Sequence, residues 1–146
     1  MTESNSANDK IVSGCWDELK QDAQMIRERV FIEEQNIAAE DEWDEQDAIS
    51  LHFVMYDQNR AVATARLLEN NSIGRVAVLK SHRGLGLGKL LMLEIIEVAK
   101  NQQRKHLQLS AQVYAIAFYE GLGFSVNGDT YLDCGIPHID MNLSLN

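Results

Sequence analysis

The stretch that decides the fold of this chain is RVAVLKSHRGLGLGKLLMLEIIEVAK, residues 75–100. It runs from an apolar, strand-like segment through three glycines at alternate positions into an amphipathic helix. Because glycine has no Cβ, these positions let main-chain amides approach a ligand closely, and amides at the start of a helix favour an anion. Arg83 and Lys89 add positive charge on either side. The stretch therefore predicts a turn that binds a phosphate or diphosphate.

Two common phosphate-binding motifs fit this turn poorly. A P-loop has a Ser or Thr after its lysine, whereas Leu90 follows Lys89 here. A dinucleotide-binding turn has the pattern GxGxxG, with an acidic residue about 20 positions further on. The pattern here is GxGxG, and residues 105–111 contain no acidic residue. A purely structural turn is also disfavoured, because a glycine that enters a helix costs about 1 kcal/mol.

The composition is that of a globular protein with a strong negative charge. Its 146 residues predict a single domain, 1–146, with a flexible polar tail at 1–9. The net charge of −9 argues against general nucleic-acid binding, which needs clustered Lys and Arg. Without a membrane span or a signal-peptide pattern, we expect a cytoplasmic protein that does not bind membranes. Cys15 and Cys134 lie outside any Cys/His cluster, which predicts reduced thiols and no zinc site.

Periodicity along the chain predicts alternating strands and helices. The predicted strands cover residues 11–16, 48–57, 61–69, 72–80, 105–112 and 135–145. The predicted helices run from Asp17 to about Glu34, from the glycine turn to near Asn101, and over a short segment within 113–124. Residues 35–47 are rich in carboxylates without periodicity and predict a loop. This order predicts an α/β (α+β) fold in which helices flank a partly antiparallel sheet.

Two motifs give the chain a resemblance to a known family. Residues 83–88, RGLGLG, match the R/Q-x-x-G-x-G/A signature of the GCN5-related N-acetyltransferases, the GNAT superfamily. Residues 112–124, QVYAIAFYEGLGF, resemble the family's segment N-x-x-A-x-x-F-Y-E-x-x-G-F, with Gln112 in the place of Asn. Residues 30–47 and 135–141 further resemble the small bacterial subgroup that includes ElaA-like and YjcF-like proteins. The resemblance implies the GNAT fold, a mixed, mostly antiparallel central sheet of about six or seven strands.

The resemblance also implies an activity, the transfer of an acetyl group from acetyl-CoA to a primary amine of a small molecule or peptide. The pantetheine arm would run along Val76, Ala77 and Val78, and the amide of Val78 or a neighbour would polarise the thioester carbonyl. Tyr119 would stand beside the departing sulfur as a proton or hydrogen-bond donor. The other residues implied in coenzyme binding are Arg83, Gly84, Leu85, Gly86, Leu87, Gly88, Lys89, Gln112 and Phe118.

The identity of the general base stays open at this point. An amine with a lysine-like pKa of about 10.4 must lose a proton before it attacks a thioester. The subgroup resemblance favours Glu34, at the end of the first predicted helix, and His138 is a second candidate at neutral pH. A chain of water molecules is the third alternative. Of the remaining histidines, His52 is interpreted as a sheet-face residue and His82 as a solvated turn residue. His106 lies at the start of a predicted strand.

The carboxylates between Glu40 and Asp47 have two interpretations. The simpler one is a solvated loop, with Arg66 of the neighbouring hairpin pairing with it. The alternative is the mouth of an acceptor site that attracts a cationic amine, with Trp43 covering the acceptor or packing on the domain. The spacing of these carboxylates does not match an EF-hand, so no metal is expected.

Two other functions are compatible with the predicted fold. One is a non-catalytic CoA-binding or regulatory module, which the substitution at Gln112 and the unassigned base leave open. The other is acyl-homoserine-lactone synthesis, although this chain is shorter than enzymes of that kind. A homodimer through the final strand is a further expectation. The sequence leaves open the acceptor amine and the use of longer acyl groups, because acceptor sites are built from variable loops.

Overall fold

The computed structural model describes residues 9–145, and these form seven strands and four α-helices. The predicted tail, 1–9, lies outside the described residues except for Asp9, where the first strand begins. The strands are β1 (Asp9–Gly14), β2 (Leu51–Asp57), β3 (Arg60–Leu67), β4 (Ser72–Val78), β5 (His106–Gln112), β6 (Ser125–Asp133) and β7 (Ile136–Ser144). The α-helices are α1 (Trp16–Arg27), α2 (Ala39–Glu42), α3 (Leu87–Asn101) and α4 (Ile116–Glu120).

All seven strands belong to one sheet, in the order β1-β2-β3-β4-β5-β7-β6. Neighbouring strands are antiparallel except for β4 and β5, which are parallel. The predicted mixed, mostly antiparallel sheet flanked by helices is therefore confirmed.

The edge strand β6 is the strand that the sequence analysis did not locate. All of its residues are exposed, so no buried face gives it a hydrophobic period. Because β6 covers one side of β7 and β5 covers the other, the final strand has no free edge for a second copy of the chain. The expected homodimer stays a prediction, but pairing through β7 is excluded as its route.

The core lies on both faces of the sheet. In β2, Val54 packs toward α1, whereas its neighbours Phe53 and Met55 belong to the cluster that includes α3. Because alternate strand residues point to opposite faces, the two helices cover opposite sides of the sheet. The cluster beneath α1 consists of Leu19, Ala23, Ile26, Val30, Phe31, Val54, Ala61, Ala77 and Leu79.

The first predicted helix changes its geometry before it ends. It is α-helical to Arg27 and continues as a π-helical segment, Glu28–Glu34. In this segment the amide of Gln35 donates to the carbonyl of Val30 at 3.2 Å, a contact that spans five residues. Such π-helical turns occur frequently at functional sites. Val30, Phe31, Glu34 and Gln35, in this segment and directly after it, line a gap between β4 and β5.

The carboxylate-rich stretch is not the solvated loop of the simpler interpretation. It contains α2 and runs into a 3₁₀-helix, Glu45–Ile49, which also delays the start of β2 to Leu51. Glu42 and Asp47 are only 2% and 3% exposed. Buried carboxylates need partners, and arginines of α1, β3 and β4 supply them.

Two smaller predictions are also corrected. The first strand was expected at 11–16, but Trp16 already belongs to α1, so β1 ends at Gly14. His82 was expected to be solvated, whereas its Nε2 lies 2.9 Å from Oδ2 of Asp57. His52 is a residue of β2, as predicted, and it is buried beside the carbonyl of Asp47.

Candidate active site

A cleft opens in the sheet where the parallel strands β4 and β5 separate. These strands pair at only two positions, Ser72 with Gln108 and Ile73 with Leu109, although each runs on for several more residues. The space between them is a cleft of about 700 Å³. The predicted site residues that line it are Glu34, Val76, Ala77, Val78, Arg83, Gly88, Gln112, Phe118, Tyr119 and His138.

The β4 wall of the cleft presents the main-chain groups of Val78. Leu79 donates its amide to the carbonyl of Val62 at 2.9 Å. Since hydrogen-bonding direction alternates along an antiparallel ladder, the amide and carbonyl of Val78 point away from β3. The Val78 carbonyl accepts a hydrogen bond from Nε of Arg83 at 2.9 Å, which agrees with this orientation. The Val78 amide therefore faces the side on which β5 has separated.

A β-bulge distorts the middle of β4. The register shifts between Thr64 and Arg66 of β3, so that Arg75 and Val76 together stand opposite Ala65. Arg75 has a φ of 52°, which is uncommon for a residue other than glycine. Bulges bend strands and redirect side chains, and they are frequent beside active sites. This one turns the Arg75 side chain toward α2, where it donates to main-chain carbonyls.

The glycine turn begins α3 beside the cleft. Gly84 and Gly86 have φ angles of 79° and 78°, a conformation that favours glycine. Gly86 is the N-cap of α3, and its carbonyl accepts from the amide of Leu90 at 3.2 Å. The amides of residues 87–89 precede this first helical bond and have no acceptor within the helix. They are among the amides, those of residues 84–89, that the sequence predicts to bind an anion.

The side chains of this turn offer fewer groups to a ligand in the cleft than its main chain does. Leu87 is buried in the core, so only its amide is available to a ligand. A Cβ on Gly88 would lie 3.6 Å from Cζ of Phe118 and 3.8 Å from Cγ2 of Val78, so the helix start approaches both walls of the cleft. The predicted site residues outside the cleft lining are Gly84, Leu85, Gly86, Leu87 and Lys89.

An ion pair joins two of the predicted site residues across the cleft. Arg83 donates from Nη1 and Nη2 to the two carboxylate oxygens of Glu34, at 2.8 and 2.6 Å. These hydrogen bonds lower the pKa of Glu34 and raise the pKa of Arg83. In this state Glu34 is a weaker base than an ordinary glutamate.

A second contact spans the cleft from the residue that follows the π-helical segment. Nε2 of Gln112, at the end of β5, donates to Oε1 of Gln35 at 3.0 Å. The sequence analysis did not single out Gln35, whose polar side chain gave no periodic or motif signal. Glu34 thus binds Arg83, and its sequence neighbour Gln35 binds Gln112. Both Arg83 and Gln112 are predicted to bind the coenzyme.

Tyr119 of α4 forms part of the cleft wall. Its ring packs edge-on against Phe118 and Phe124, with centroid distances of 5.0 and 6.0 Å. Burial raises the pKa of Tyr119 to about 12, so the phenol is protonated at neutral pH. The side chain is therefore a hydrogen-bond donor held in place by aromatic packing.

His138 of β7 lines the cleft and is 9% exposed. Its Nδ1 lies 2.7 Å from the carbonyl oxygen of Ile136. Because a carbonyl can only accept, Nδ1 carries a proton, which leaves Nε2 as the nitrogen with the lone pair whenever the ring is neutral. The ring stacks on Tyr131, whose hydroxyl is hydrogen-bonded to Ser110 and donates to Asp140 at 2.7 Å. These contacts hold the ring in one orientation on the cleft wall.

Arg27 anchors the acidic stretch to α1. It donates to Glu42 and Asp47 at 2.8 and 2.7 Å. Its guanidinium lies over the rings of Trp16 and Trp43, 5.5 and 5.0 Å from their centroids. Trp43 therefore packs on this cation of the protein itself.

Arg66 and Arg75 complete what we call the arginine cluster, formed by these two residues and Arg27 with their carboxylate partners. Arg66 binds Asp44 and Asp47 at 2.7 and 2.9 Å, which confirms its predicted pairing. Arg75 reaches Glu42 at 3.2 Å and Asp44 at 3.3 Å. The hydrogen bonds from Arg66 lower the pKa of Asp44 to about 2, whereas burial raises the pKa of Glu42. The cluster ties the acidic stretch to α1, β3 and the β4 bulge.

Most of the chain matches a family model. Residues 16–145 match the acetyltransferase (GNAT) domain. The chain belongs to the GNAT acetyltransferase family. The matched range contains the split between β4 and β5, the glycine turn and Tyr119, so the resemblance seen in the two sequence motifs is confirmed.

Known relatives place this GNAT protein in the predicted subgroup. It is 38% identical over 129 residues to the uncharacterized N-acetyltransferase YjcF of Bacillus subtilis, covering 86% of this chain and 92% of YjcF. The crystal structure of Escherichia coli ElaA is similar with a TM-score of 0.84 and 28% identity, covering 93% of this chain and 99% of ElaA. An acyl-CoA N-acyltransferase structure from Pseudomonas aeruginosa has a TM-score of 0.83, 28% identity and the same coverage.

Three further observations concern residues 9–145. No group of three or more His, Cys, Asp or Glu side chains in this range is arranged to hold a metal ion. None of the helices there combines the length and the apolar character that crossing a membrane requires. Cys15 and Cys134 are both exposed as free thiols.

Proposed function

We propose that this GNAT protein is an N-acetyltransferase that passes the acetyl group of acetyl-CoA directly to a primary amine. The observation that carries the proposal is the cleft between β4 and β5, with the Val78 amide on one wall and the glycine turn beside it. An acyl-CoA needs both features, because its diphosphate is anionic and its thioester oxygen gains negative charge during attack. Family membership supports the same coenzyme.

In this proposal the coenzyme lies across the split in the sheet. Its diphosphate binds the amides of residues 84–89, with Arg83 and Lys89 adding charge. Its pantetheine arm extends along residues 76–78 like an added strand and occupies the space from which β5 has separated. Gln112 and Phe118 form the opposite side.

The chemistry requires stabilisation of two developing charges. The amine nitrogen forms a bond to the thioester carbon, and the Val78 amide donates to the resulting oxyanion, a contribution of about 3 kcal/mol to the barrier. The carbon–sulfur bond then breaks and CoA leaves as a thiolate. Because the pKa of Tyr119, about 12, exceeds the ordinary thiol value of about 8.5, Tyr119 stabilises the thiolate by donating a hydrogen bond. The nitrogen of the ammonium loses two protons: a general base takes the first before attack, and the second, lost as the amide forms, neutralises the sulfur.

We favour His138 over Glu34 as the general base. Nε2 of His138 keeps a lone pair on a ring that lines the cleft. The carboxylate of Glu34 is bound at both oxygens by Arg83, which lowers its pKa. Glu34 stays the second candidate for the state in which Arg83 is released.

We also propose that the acceptor is cationic. Asp41 and Asp133 line the cleft together with His138, and the charge of Arg75 on the same lining is already balanced within the arginine cluster. Carboxylates in a cleft attract an amine in its ammonium form and repel acceptors that carry a carboxylate.

A non-catalytic module that binds CoA is the second candidate function. The observation that favours it is the ion pair between Glu34 and Arg83, which occupies a possible base and a possible coenzyme ligand together. Under this alternative the cleft would bind CoA without transferring its acyl group.

The decisive experiment combines binding and turnover. Purified protein is titrated with CoA by calorimetry and then incubated with acetyl-CoA and a panel of polyamines, aminoglycosides, amino acids and peptides while released thiol is measured. We expect thiol release that depends on an amine, with a matching acetylated product in mass spectra. CoA binding without turnover of any amine would favour the non-catalytic module, and no CoA binding would contradict both candidates.

A further inference from the structure

We infer that Glu34 is an internal competitor of the coenzyme, occupying Arg83 in the ligand-free protein and giving it up to the diphosphate when acetyl-CoA binds. The inference rests on the proposed function, because it takes Arg83 as a diphosphate ligand. It adds a regulatory feature of the same site, which the transfer reaction itself does not require.

The carboxylate of Glu34 holds Arg83 in the way that a phosphate would. The two oxygens of Glu34 accept from Nη1 and Nη2 at 2.8 and 2.6 Å, the bidentate geometry that guanidinium groups also form with phosphates. Nε of Arg83 donates to the Val78 carbonyl at 2.9 Å. All three nitrogens of the guanidinium are thus engaged by the protein, so a bidentate contact of a diphosphate with Nη1 and Nη2 requires that Glu34 leave.

The position of Arg83 also affects the β4 wall. The Val78 carbonyl points into the gap beside β4, where the pantetheine arm would pair with the strand. While Arg83 binds this carbonyl, it occupies one of the two lone pairs that the oxygen offers to a pantetheine amide. Release of Arg83 toward the diphosphate would therefore clear both the anion site and the strand edge.

Gln35, the residue after Glu34, forms a second side-chain contact across the cleft, which we call a tie, as we do the Glu34–Arg83 pair. Gln35 accepts from Gln112 at 3.0 Å, so residues 34 and 35 connect the end of the π-helical segment to both sides of the cleft. When the coenzyme displaces Glu34, one of the two ties is lost. We expect the end of this segment to loosen only after the coenzyme is bound.

The exchange is feasible because the ion pair is accessible to water. The side chains of Arg83 and Glu34 are 42% and 34% exposed, and ion pairs at such sites contribute little to stability. A diphosphate would replace one carboxylate on Arg83 and would also reach the amides of residues 84–89. The coenzyme therefore competes successfully, but with an affinity that Glu34 reduces.

The test compares dissociation constants for CoA, measured by calorimetry, in the wild type, Glu34→Gln, Glu33→Gln, Arg83→Ala and the double variant Glu34→Gln/Arg83→Ala. We expect Glu34→Gln to bind CoA roughly three- to tenfold more tightly than the wild type, because the competing charge is gone. Glu33→Gln removes the adjacent exposed carboxylate and should change the constant less than twofold. In the Arg83→Ala background, Glu34→Gln should give no gain.

The outcomes separate the inference from the function on which it rests. Wild-type protein that fails to bind CoA would contradict the proposed function itself. If the wild type binds CoA, unchanged or weaker binding by Glu34→Gln overturns the inference. The inference is also overturned if Glu33→Gln tightens CoA binding equally, or if Glu34→Gln does so in the Arg83→Ala background. The gain would then come from the lower negative charge of the protein and not from the release of Arg83. Thermal melting curves of each variant check that the fold is retained.

Discussion

At the scale of single residues, Gly86 combines a left-handed backbone conformation with a position in the proposed anion site. Its φ of 78° lies in the left-handed region, and it is the N-cap of α3. Within residues 9–145, no heavy atom outside Gly86 and its chain neighbours lies within 4 Å of the position that a Cβ would occupy, so the space above the turn is open to a ligand. A side chain at this position has two separable consequences, backbone strain and occupation of that space.

We predict that Gly86→Ala destabilises the protein by about 1–2 kcal/mol, because an L-residue is strained at this φ. Gly86→Glu should be destabilised by a similar amount but should in addition lose CoA binding, because it places bulk and negative charge where the diphosphate binds. Chemical denaturation gives the first quantity and calorimetry the second. A Glu variant that binds CoA as tightly as the Ala variant would refute the placement of the diphosphate.

Tyr119 is the residue at which turnover and coenzyme affinity should separate. We predict that Tyr119→Phe lowers kcat about 10- to 100-fold, which corresponds to the loss of one hydrogen bond to a charged group. The ring packing against Phe118 and Phe124 is retained, so the dissociation constant for CoA should not change. Steady-state kinetics and calorimetry on the same preparation test this, and an unaltered kcat would remove Tyr119 from the reaction.

At the scale of elements, motifs and periodicity predicted most of the architecture. The RGLGLG turn, the helix that follows it and the alternation of buried strands were readable because each carries a local pattern. β6 was not, because all its residues are exposed. The 3₁₀-helix Glu45–Ile49 was also missed, since its carboxylates suggest a solvated segment and their buried partners are distant in sequence.

The contacts within the site were harder to predict because they join distant elements. The Glu34–Arg83 contact spans 49 residues and the Gln35–Gln112 contact spans 77. The position of Arg27 is one local signal of these contacts, because it follows Ala23 by four residues on the apolar stripe of the first helix. A cation on such a stripe indicates a buried ion pair.

The arginine cluster gives the fold a defined dependence on pH. The pKa of Asp44 is about 2 in the folded protein, below an unfolded value of about 3.9. Its stabilising contribution is therefore complete above pH 4 and is lost as the pH falls toward 2. We predict that Asp44→Asn lowers the free energy of unfolding by about 1–2 kcal/mol at pH 6, after allowance for solvent screening of this partly exposed group.

Chemical denaturation of both proteins between pH 6 and pH 3 tests this prediction. The difference between wild type and Asp44→Asn should shrink as the pH falls below about 4, since Asp44 of the unfolded wild-type chain then binds a proton that the folded protein takes up only near pH 2. The raised pKa of Glu42 has the opposite effect on the pH dependence of stability. Because both proteins contain Glu42, this effect does not account for the difference between them. The exposed neighbour Glu45 provides the control, Glu45→Gln, for which we expect little effect at any pH. A constant difference for Asp44→Asn would contradict the assignment.

At the scale of the whole molecule, the net charge of −9 opposes an anionic coenzyme. The proposed coenzyme site would therefore depend on a local concentration of donors, the helix-start amides with Arg83 and Lys89. The same overall field, with Asp41 and Asp133 in the cleft, favours a cationic acceptor. In this proposal the helix start binds an anionic coenzyme, whereas the carboxylates of the cleft attract a cationic acceptor.

Two amines of similar length test the acceptor's charge. We predict that 1,5-diaminopentane has a kcat/KM at least about tenfold higher than 5-aminopentanoate at low salt, because the far group is an ammonium in one and a carboxylate in the other. The ratio should fall as ionic strength rises, because salt screens the field. Equal values, or a preference for the carboxylate, would contradict a cationic acceptor.

The central claim is that main-chain amides at the start of α3 bind the diphosphate of CoA. The most direct measurement is a titration of ¹⁵N-labelled protein with CoA, followed by amide chemical shifts. We predict that the largest changes occur at residues 84–89, with further changes at the Val78 amide and along β4. Saturable CoA binding that leaves residues 84–89 unperturbed, with the shifts confined to another surface, would contradict the account.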